Sequence, residues 1–270
     1  MSSSAATGFG LTALCIAAER GWKSRADALE RALAIVRFYA EQSPHERGWF
    51  YHFVAMDSGA RVWNCEIPSI DTALLLAGVL TARVYFDDRD ISRCAHAIYS
   101  RIDFRWMLNG DPNLLSMGWK PESGFLDARW DTYCELMILY LLGLGSPTTP
   151  LPAGAWQAWR RPKVTYAGRT YISGAPPLFT HQYSHAWADF RRRREQSGER
   201  TDWFDNSVNA TLAHQSFCID LGKGDFPGCY SENQWGITAS DSAKGYVAWG
   251  GRRATDPSTA HLCLAPRAAH

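Results

Sequence analysis

Two acidic clusters stand at the edges of strongly apolar runs: Glu66 and Asp71 in CEIPSIDTALLLAGVL, and Asp131 and Glu135 in WDTYCELMILYLLGLG. A carboxyl group beside such a run is costly unless it is paired or used. Burial disfavours its charged form and raises its pKa, which is what a general acid working near neutral pH requires. Glu135 is the first candidate for that role. It stands one turn after Asp131 on an expected helix, and Leu136, Met137, Ile138 and Leu139 follow at once. The alternative, equally open, is a carboxylate satisfying free N–H groups at a helix start; for Asp71, expected in the first turn of its helix, that capping role is the better reading. Asp241, beside Ser242 in TASDSAKGY, makes a third cluster, with an Asx-turn or N-cap as its alternative. Asp189 is set aside, because Arg191–Arg194 lie close enough to pair with it.

A Gly-Trp and aromatic loop precedes each of the first two clusters: Gly48-Trp49-Phe50-Tyr51 in one case, Gly118-Trp119 and Gly124-Phe125 in the other. The chain holds 12 Trp, 11 Tyr and 12 Phe in 270 residues. These rings combine a flat apolar face with a polar edge, and beside paired carboxyls they point to a sugar-binding cleft. Cleaving a glycosidic bond takes two carboxyls, one protonating the leaving oxygen and one activating water or attacking directly. Trp49, Trp119, Trp130 and Tyr183 are expected to line subsites, with Tyr133 and Trp235 as further binding candidates, while other rings fill gaps between helices. His181, Gln182, Tyr183, Ser184 and His185 form a polar patch suited to sugar hydroxyls. His181 and His185 could share a metal, but Gln-Tyr-Ser lies between them, not the H-E-x-x-H pattern, so no metal is expected. No G-x-S-x-G elbow or phosphate-binding glycine loop is present.

Net charge is +1, which gives no reason to expect nucleic acid or a membrane surface as partner; RRRRE at 191–195 reads as a solvated turn. Seven cysteines without C-x-x-C spacing read as small buried hydrophobes. No segment is read as a membrane span. MSSSAATGFG lacks the charged start of a signal peptide, and localisation stays open.

The pattern predicts helices over 5–19, 24–42 (with Ser24 and Asp27 as a capping box), 68–84, 90–108, 128–144, 153–161, 181–192 and 202–221. Hairpins are expected in WFYHFV…ARVWNCE and over 163–180. Helices apolar all round alternate with amphipathic ones, as when an inner ring of helices sits inside an outer ring. The fold class is therefore all-α: a toroid of helix pairs with short β-hairpins in the loops of one face. Eight helices make four pairs where a closed six-pair toroid has twelve helices, so the toroid is expected to be incomplete.

SSAATGFGLTALCIAAERGW, GWFYHF, EIPSIDTALLLAGVL, WDTYCELMILYLLGLGSPTTPLP, PLFTHQYSHAWADFR and WGITASDSAKGY, in this order, resemble the bacterial glycoamylase-like domain family over residues 2–250. That family includes endo-β-1,2-glucanases and is related to domains of cyclic β-1,2-glucan synthases. The resemblance implies an (α/α)6 barrel and a glycoside hydrolase acting on β-glucan, most concretely β-1,2-glucan, without metal or organic cofactor. It implies an oligo- or polysaccharide as partner. It puts the acid at Glu135 in W-x-x-Y-x-E-x-M, with Asp71 in SIDTA, Glu66 and Asp241 in ITASD as the other acidic cleft positions; the base stays open among them. The family's chain extends before SSAATGFG and after WGG, so a domain over 1–250 truncated at both ends is expected, with an aberrant tail over 251–270. Two other readings stand beside this one. A non-catalytic toroid binding glycan or protein, or an inactive gene fragment, would leave Glu135→Gln silent. A terpene-cyclase-like toroid would need an acidic motif that Asp87-Asp88-Arg89-Asp90 only loosely resembles.

Overall fold

The computed structural model describes residues 1–196, 198–243 and 245–250. The chain is mostly helical, with a few small sheets of two or three strands. It divides into two compact units, one of residues 1–131 with 138–159, the other of residues 132–137 with the chain from Arg160 onward.

The first unit is built on α1 (Ser4–Glu19), α2 (Arg25–Glu41), α3 (Ser69–Phe86) and α4 (Arg89–Arg101). Their starts follow from local chemistry. The Ser3, Ser24 and Asp88 side chains each accept from a backbone N–H of the first turn, at Ala6, Asp27 and both Asp90 and Ile91 respectively. Helices α1 and α3 cross at two glycines. A Cβ on Gly8 would lie 2.1 Å from the Leu74 carbonyl oxygen, and one on Gly78 2.1 Å from that of Gly8, so any side chain there would hold the backbones apart. Helices α2 and α4 pack together and bury single stripes, Ala28, Ala32, Val36 and Tyr39 on one, Ile91, Cys94, Ala95 and Ile98 on the other. The apolar pair and the amphipathic pair reproduce the alternation seen in the sequence. Helix α3 is, against expectation, long and apolar enough to cross a membrane by length and composition, but most of it is buried in the core.

Several expected elements are shorter. The helix over 90–108 ends at Arg101, and a separate 3-10 turn follows at Trp106–Leu108, where Trp106 N–H donates to Asp103 Oδ1 at 3.0 Å. The hairpin over 49–66 is divided. Strand β1 (Ser2–Ser3) pairs with β4 (Phe53–Val54) and β2 (His45–Glu46) with β3 (Trp49–Phe50), while the two halves of the expected hairpin meet through a Val54–Arg61 bridge and single bonds such as His52 N–H to the Glu66 carbonyl at 3.0 Å. Strand β5 (Ile67–Pro68) joins β6 (Gly118–Lys120) and β7 (Gly124–Phe125) in a three-stranded sheet. The helix expected over 128–144 exists only as α5 (Met137–Leu144). Upstream, the backbone hydrogen bonds are spent elsewhere: Met117 N–H on Ala128, Trp130 N–H on Leu115, Tyr133 N–H on Arg160 and Gly174 N–H on Tyr133. Helix α6 is only Ala155–Ala158.

In the second unit, β8 (Lys163–Tyr166) and β9 (Arg169–Ile172) form the expected hairpin, turning at Ala167 and Gly168, both at positive φ. Helix α7 (Trp203–Lys223) is capped by Asp202 and tied to β9 through Asn206, which accepts from Ile172 N–H at 2.6 Å and donates to its carbonyl at 3.1 Å. The helix over 181–192 does not form; two 3-10 turns, Leu178–His181 and Ser184–Ala186, stand in its place. His, Tyr, Ser, Trp and Asp are poor helix formers. A last hairpin joins β10 (Ser240–Ser242) to β11 (Gly245–Val247). The tail expected over 251–270 lies outside the described residues.

Candidate active site

In the first unit, Glu66 ends the loop that enters β5, and Asp71 sits in the first turn of α3. Between them lies His52. Its Nδ1 is 3.0 Å from Glu66 Oε1 and its Nε2 is 3.3 Å from Asp71 Oδ1. A ring face of His52 stacks on Phe53 at 3.9 Å and 17°. The Asp71 side chain is 13% exposed; burial, opposed by the His52 charge and reinforced by that of Glu66, raises its pKa from 3.8 to about 6. Glu66 moves the other way, chiefly through its hydrogen bond to His52. Burial works against a charge on His52, but the Glu66 hydrogen bond and both carboxylates outweigh it, and the imidazole pKa rises. The arrangement can therefore hold a proton on Asp71 up to about pH 6 beside an ionised Glu66. His52 was not among the candidates drawn from the sequence, although GWFYHF contains it. A histidine one residue after an aromatic triplet carries no spacing rule that would have selected it.

The rings divide between core and surface. Trp49, expected in a subsite, is fully buried and donates from Nε1 to the Asp103 carbonyl at 2.9 Å. Trp130, also expected in a subsite, is 6% exposed and donates to Ser69 Oγ at 2.7 Å; Ser69 Oγ donates onward to the Ser116 carbonyl, which fixes the start of α3. Both indoles are buried with their N–H groups paired inside the protein, so neither presents an open surface here. Trp119 is half-buried, 5.6 Å from Trp106. Asp131 is half-buried in the loop before Thr132.

In the second unit, Glu135 is half-buried in a turn two residues before α5, and its carbonyl accepts from Ser184 Oγ at 3.1 Å. It therefore does not stand on a helix one turn after Asp131. Tyr133 is fully buried, stacked on Trp203 at 5.1 Å and 3°, with its hydroxyl 3.2 Å from His181 Nδ1; it is a core ring rather than an open binding surface. His181 is buried too, its Nε2 3.3 Å from Ser173 Oγ, and burial, helped by the charges of His185 and His214, lowers its pKa to about 3. His185 Nε2 lies 2.8 Å from Ser207 Oγ. His181, Gln182 and His185, with Phe204, Ser207 and Val208, line a cavity of about 410 Å³. Gln182 is exposed and Tyr183 half-buried, stacked at a tilt on Phe179 at 4.7 Å. Trp235 is half-buried, 6.3 Å from His214, and Asp241 is exposed in β10. Among the described residues no three His, Cys, Asp or Glu side chains are grouped as metal ligands.

The Glycoamylase family profile, described as "Putative glucoamylase", matches residues 127–270, more than half of the chain, and the chain belongs to that family. It is 26% identical over 286 residues to the exo β-1,2-glucooligosaccharide sophorohydrolase (non-reducing end) of Parabacteroides distasonis, covering 92% of this chain and 39% of the relative. It is similar to the endo-β-1,2-glucanase structure from Chitinophaga pinensis in complex with sophorotriose and glucose, at 27% identity and a TM-score of 0.82, over 94% of this chain and 65% of that one. A β-1,2-glucanase structure from Parabacteroides distasonis, at 24% identity and a TM-score of 0.83, shares the fold over 94% of this chain and 41% of its own. The chain thus spans roughly two fifths to two thirds of the length of these relatives.

Proposed function

We propose that this chain carries the acid/base machinery of a glycoside hydrolase acting on β-1,2-glucan. The observation that carries the reading is the His52 bridge. It leaves Asp71 able to hold a proton near pH 6 beside an ionised Glu66, and a proton donor of that kind is what departure of a glycosidic oxygen needs. The relatives' printed activities supply the linkage. The family resemblance gives the acid to Glu135, while the His52 bridge favours Asp71, so two candidates stand for one role. The (α/α)6 architecture over residues 1–250 is part of the same proposal, supported by the pairing of apolar α1 and α3 and of amphipathic α2 and α4 in the first unit.

Incubation of the purified chain with linear β-1,2-glucan, followed by oligosaccharide analysis, tests the activity. Glu135→Gln and Asp71→Asn then divide the roles. The acid variant loses nearly all turnover on glucan but retains more on an activated aryl glycoside, whose leaving group needs no proton. Folded protein that releases nothing from β-1,2-glucan, and does not bind it, overturns the reading.

A further inference from the structure

Trp63 is the side chain the proposed function leaves unused. It is 71% exposed, although an indole is among the side chains with most to gain from burial. Its backbone is held at φ +57, and Asn64 follows at φ +48. Two successive left-handed residues, neither glycine, are unfavourable unless their surroundings fix them. Here the surroundings do. Arg61 Nε donates to the Cys65 carbonyl at 2.7 Å, the Arg61 guanidinium pairs with Glu122 and lies 5.0 Å over the Tyr51 ring, and Cys65 N–H closes the turn on Val62. The turn thus presents a large apolar ring to solvent on a braced backbone. That ring makes an edge contact with Phe53 at 5.3 Å, Phe53 stacks on His52, and His52 joins Glu66 to Asp71. An open indole therefore stands two rings away from the carboxyl cluster.

We propose that Trp63 is a stacking platform for one glucosyl residue of the glycan whose glycosidic bond the Glu66–His52–Asp71 cluster serves. The proposal rests on the hydrolase reading for the class of its ligand. The C–H face of a glucopyranose ring matches an indole in size and apolarity, while its hydroxyl edge stays in water. Trp22, 77% exposed in the loop between α1 and α2, is an equally open indole away from the cluster in sequence and serves as the control.

The test is a titration of the full chain with sophorotriose, read on the indole N–H resonances, with cellotriose as linkage control and Trp63→Ala, Trp63→Phe and Trp22→Ala beside the wild type. The Trp63 resonance, assigned by its loss in both variants, is expected to shift saturably. Trp63→Ala should weaken binding about tenfold or more, Trp63→Phe about two- to threefold, and Trp22→Ala not at all, with unchanged melting temperatures. Shifts confined to other indoles overturn the platform and leave the hydrolase reading standing. Absence of any oligosaccharide binding overturns both. A Trp63 resonance that moves with protein concentration and not with sugar assigns the ring to self-association and overturns the platform.

Discussion

Asp71 is one of the two candidates for the proposed acid, and its protonation is also a statement about stability. Its folded pKa of about 6 stands above the ordinary 3.8, so between these values the folded protein holds the proton more tightly than the unfolded chain. Stability contributed by this group is full below about pH 4 and is lost as pH rises through 6. His52, raised as well, acts in the same direction; Glu66, lowered, acts in the opposite one, losing its contribution only as pH falls toward its depressed pKa. Asp71→Asn should therefore lose less stability than the wild type between pH 4.5 and 7, by about 2 kcal/mol, since about 1.5 pKa units of the shift lie above pH 4.5 at 1.36 kcal/mol per unit. Urea unfolding of both proteins at the two pH values measures the gap, and an unchanged gap means that the proton is not on Asp71. At this scale the sequence was partly legible. Glu66 and Asp71 stood out because a carboxyl beside an apolar run is anomalous. His52 did not, because its partners lie 14 and 19 positions away in a strand-and-turn segment without a fixed period. Trp49, Trp130 and Tyr133 look in the sequence like any cleft ring; only Nε1 and hydroxyl partners from distant segments mark them as core.

Helices were legible where periodicity and caps agreed, as in α1, α2, α3 and α7. They were misread where an apolar run met competing backbone partners. Residues 128–136 carry helix-like hydrophobicity, but their N–H and C=O groups pair with 115–117 and with Arg160 and Gly174. A hydrophobic pattern alone cannot tell a buried extended segment from a buried helix. The crossing of α1 and α3 had a visible signal, glycines inside two apolar helices, whose meaning depends on contact. Gly8→Ala and Gly78→Ala each bring a methyl against backbone at 2.1 Å. Overpacking of this kind should cost about 3 kcal/mol or more, since neither backbone can yield without moving a helix. Gly10→Ala, two positions away in the same helix with nothing within 4 Å of its added Cβ, should instead stabilise by about 0.5–1 kcal/mol through helix propensity. Thermal unfolding of the three variants checks both signs. A Gly78→Ala protein as stable as the wild type would falsify the close crossing.

The two compact units carry different balances of proton-linked groups, Asp71 and His52 raised against a lowered His45 in the first and lowered histidines in the second, so the molecule as a whole should answer acid unevenly. In the second unit His181 and His214 are buried and neutral, with pKa values lowered from 6.5 to about 3 and about 4. Burial is the main cause for both. His214 Nε2 accepts from Ile237 N–H at 3.1 Å, a bond that protonation destroys. Because these histidines bind protons less readily folded than unfolded, their contribution is full above pH 6.5 and is lost as pH falls below it. In the first unit Asp71 and His52 gain over the same interval. Moving from pH 7 to pH 5 crosses about 1.5 pKa units for each buried histidine, or about 2 kcal/mol apiece. Amide exchange along α7 should then report an opening free energy lower by roughly 2–4 kcal/mol at pH 5, while amides along α3 hold or gain protection. His214→Gln keeps an acceptor for Ile237 without the titration and should retain about half of the α7 loss. Equal losses along α3 and α7 would mean that the units open as one body and that their separate proton linkages do not govern how the chain responds to acid.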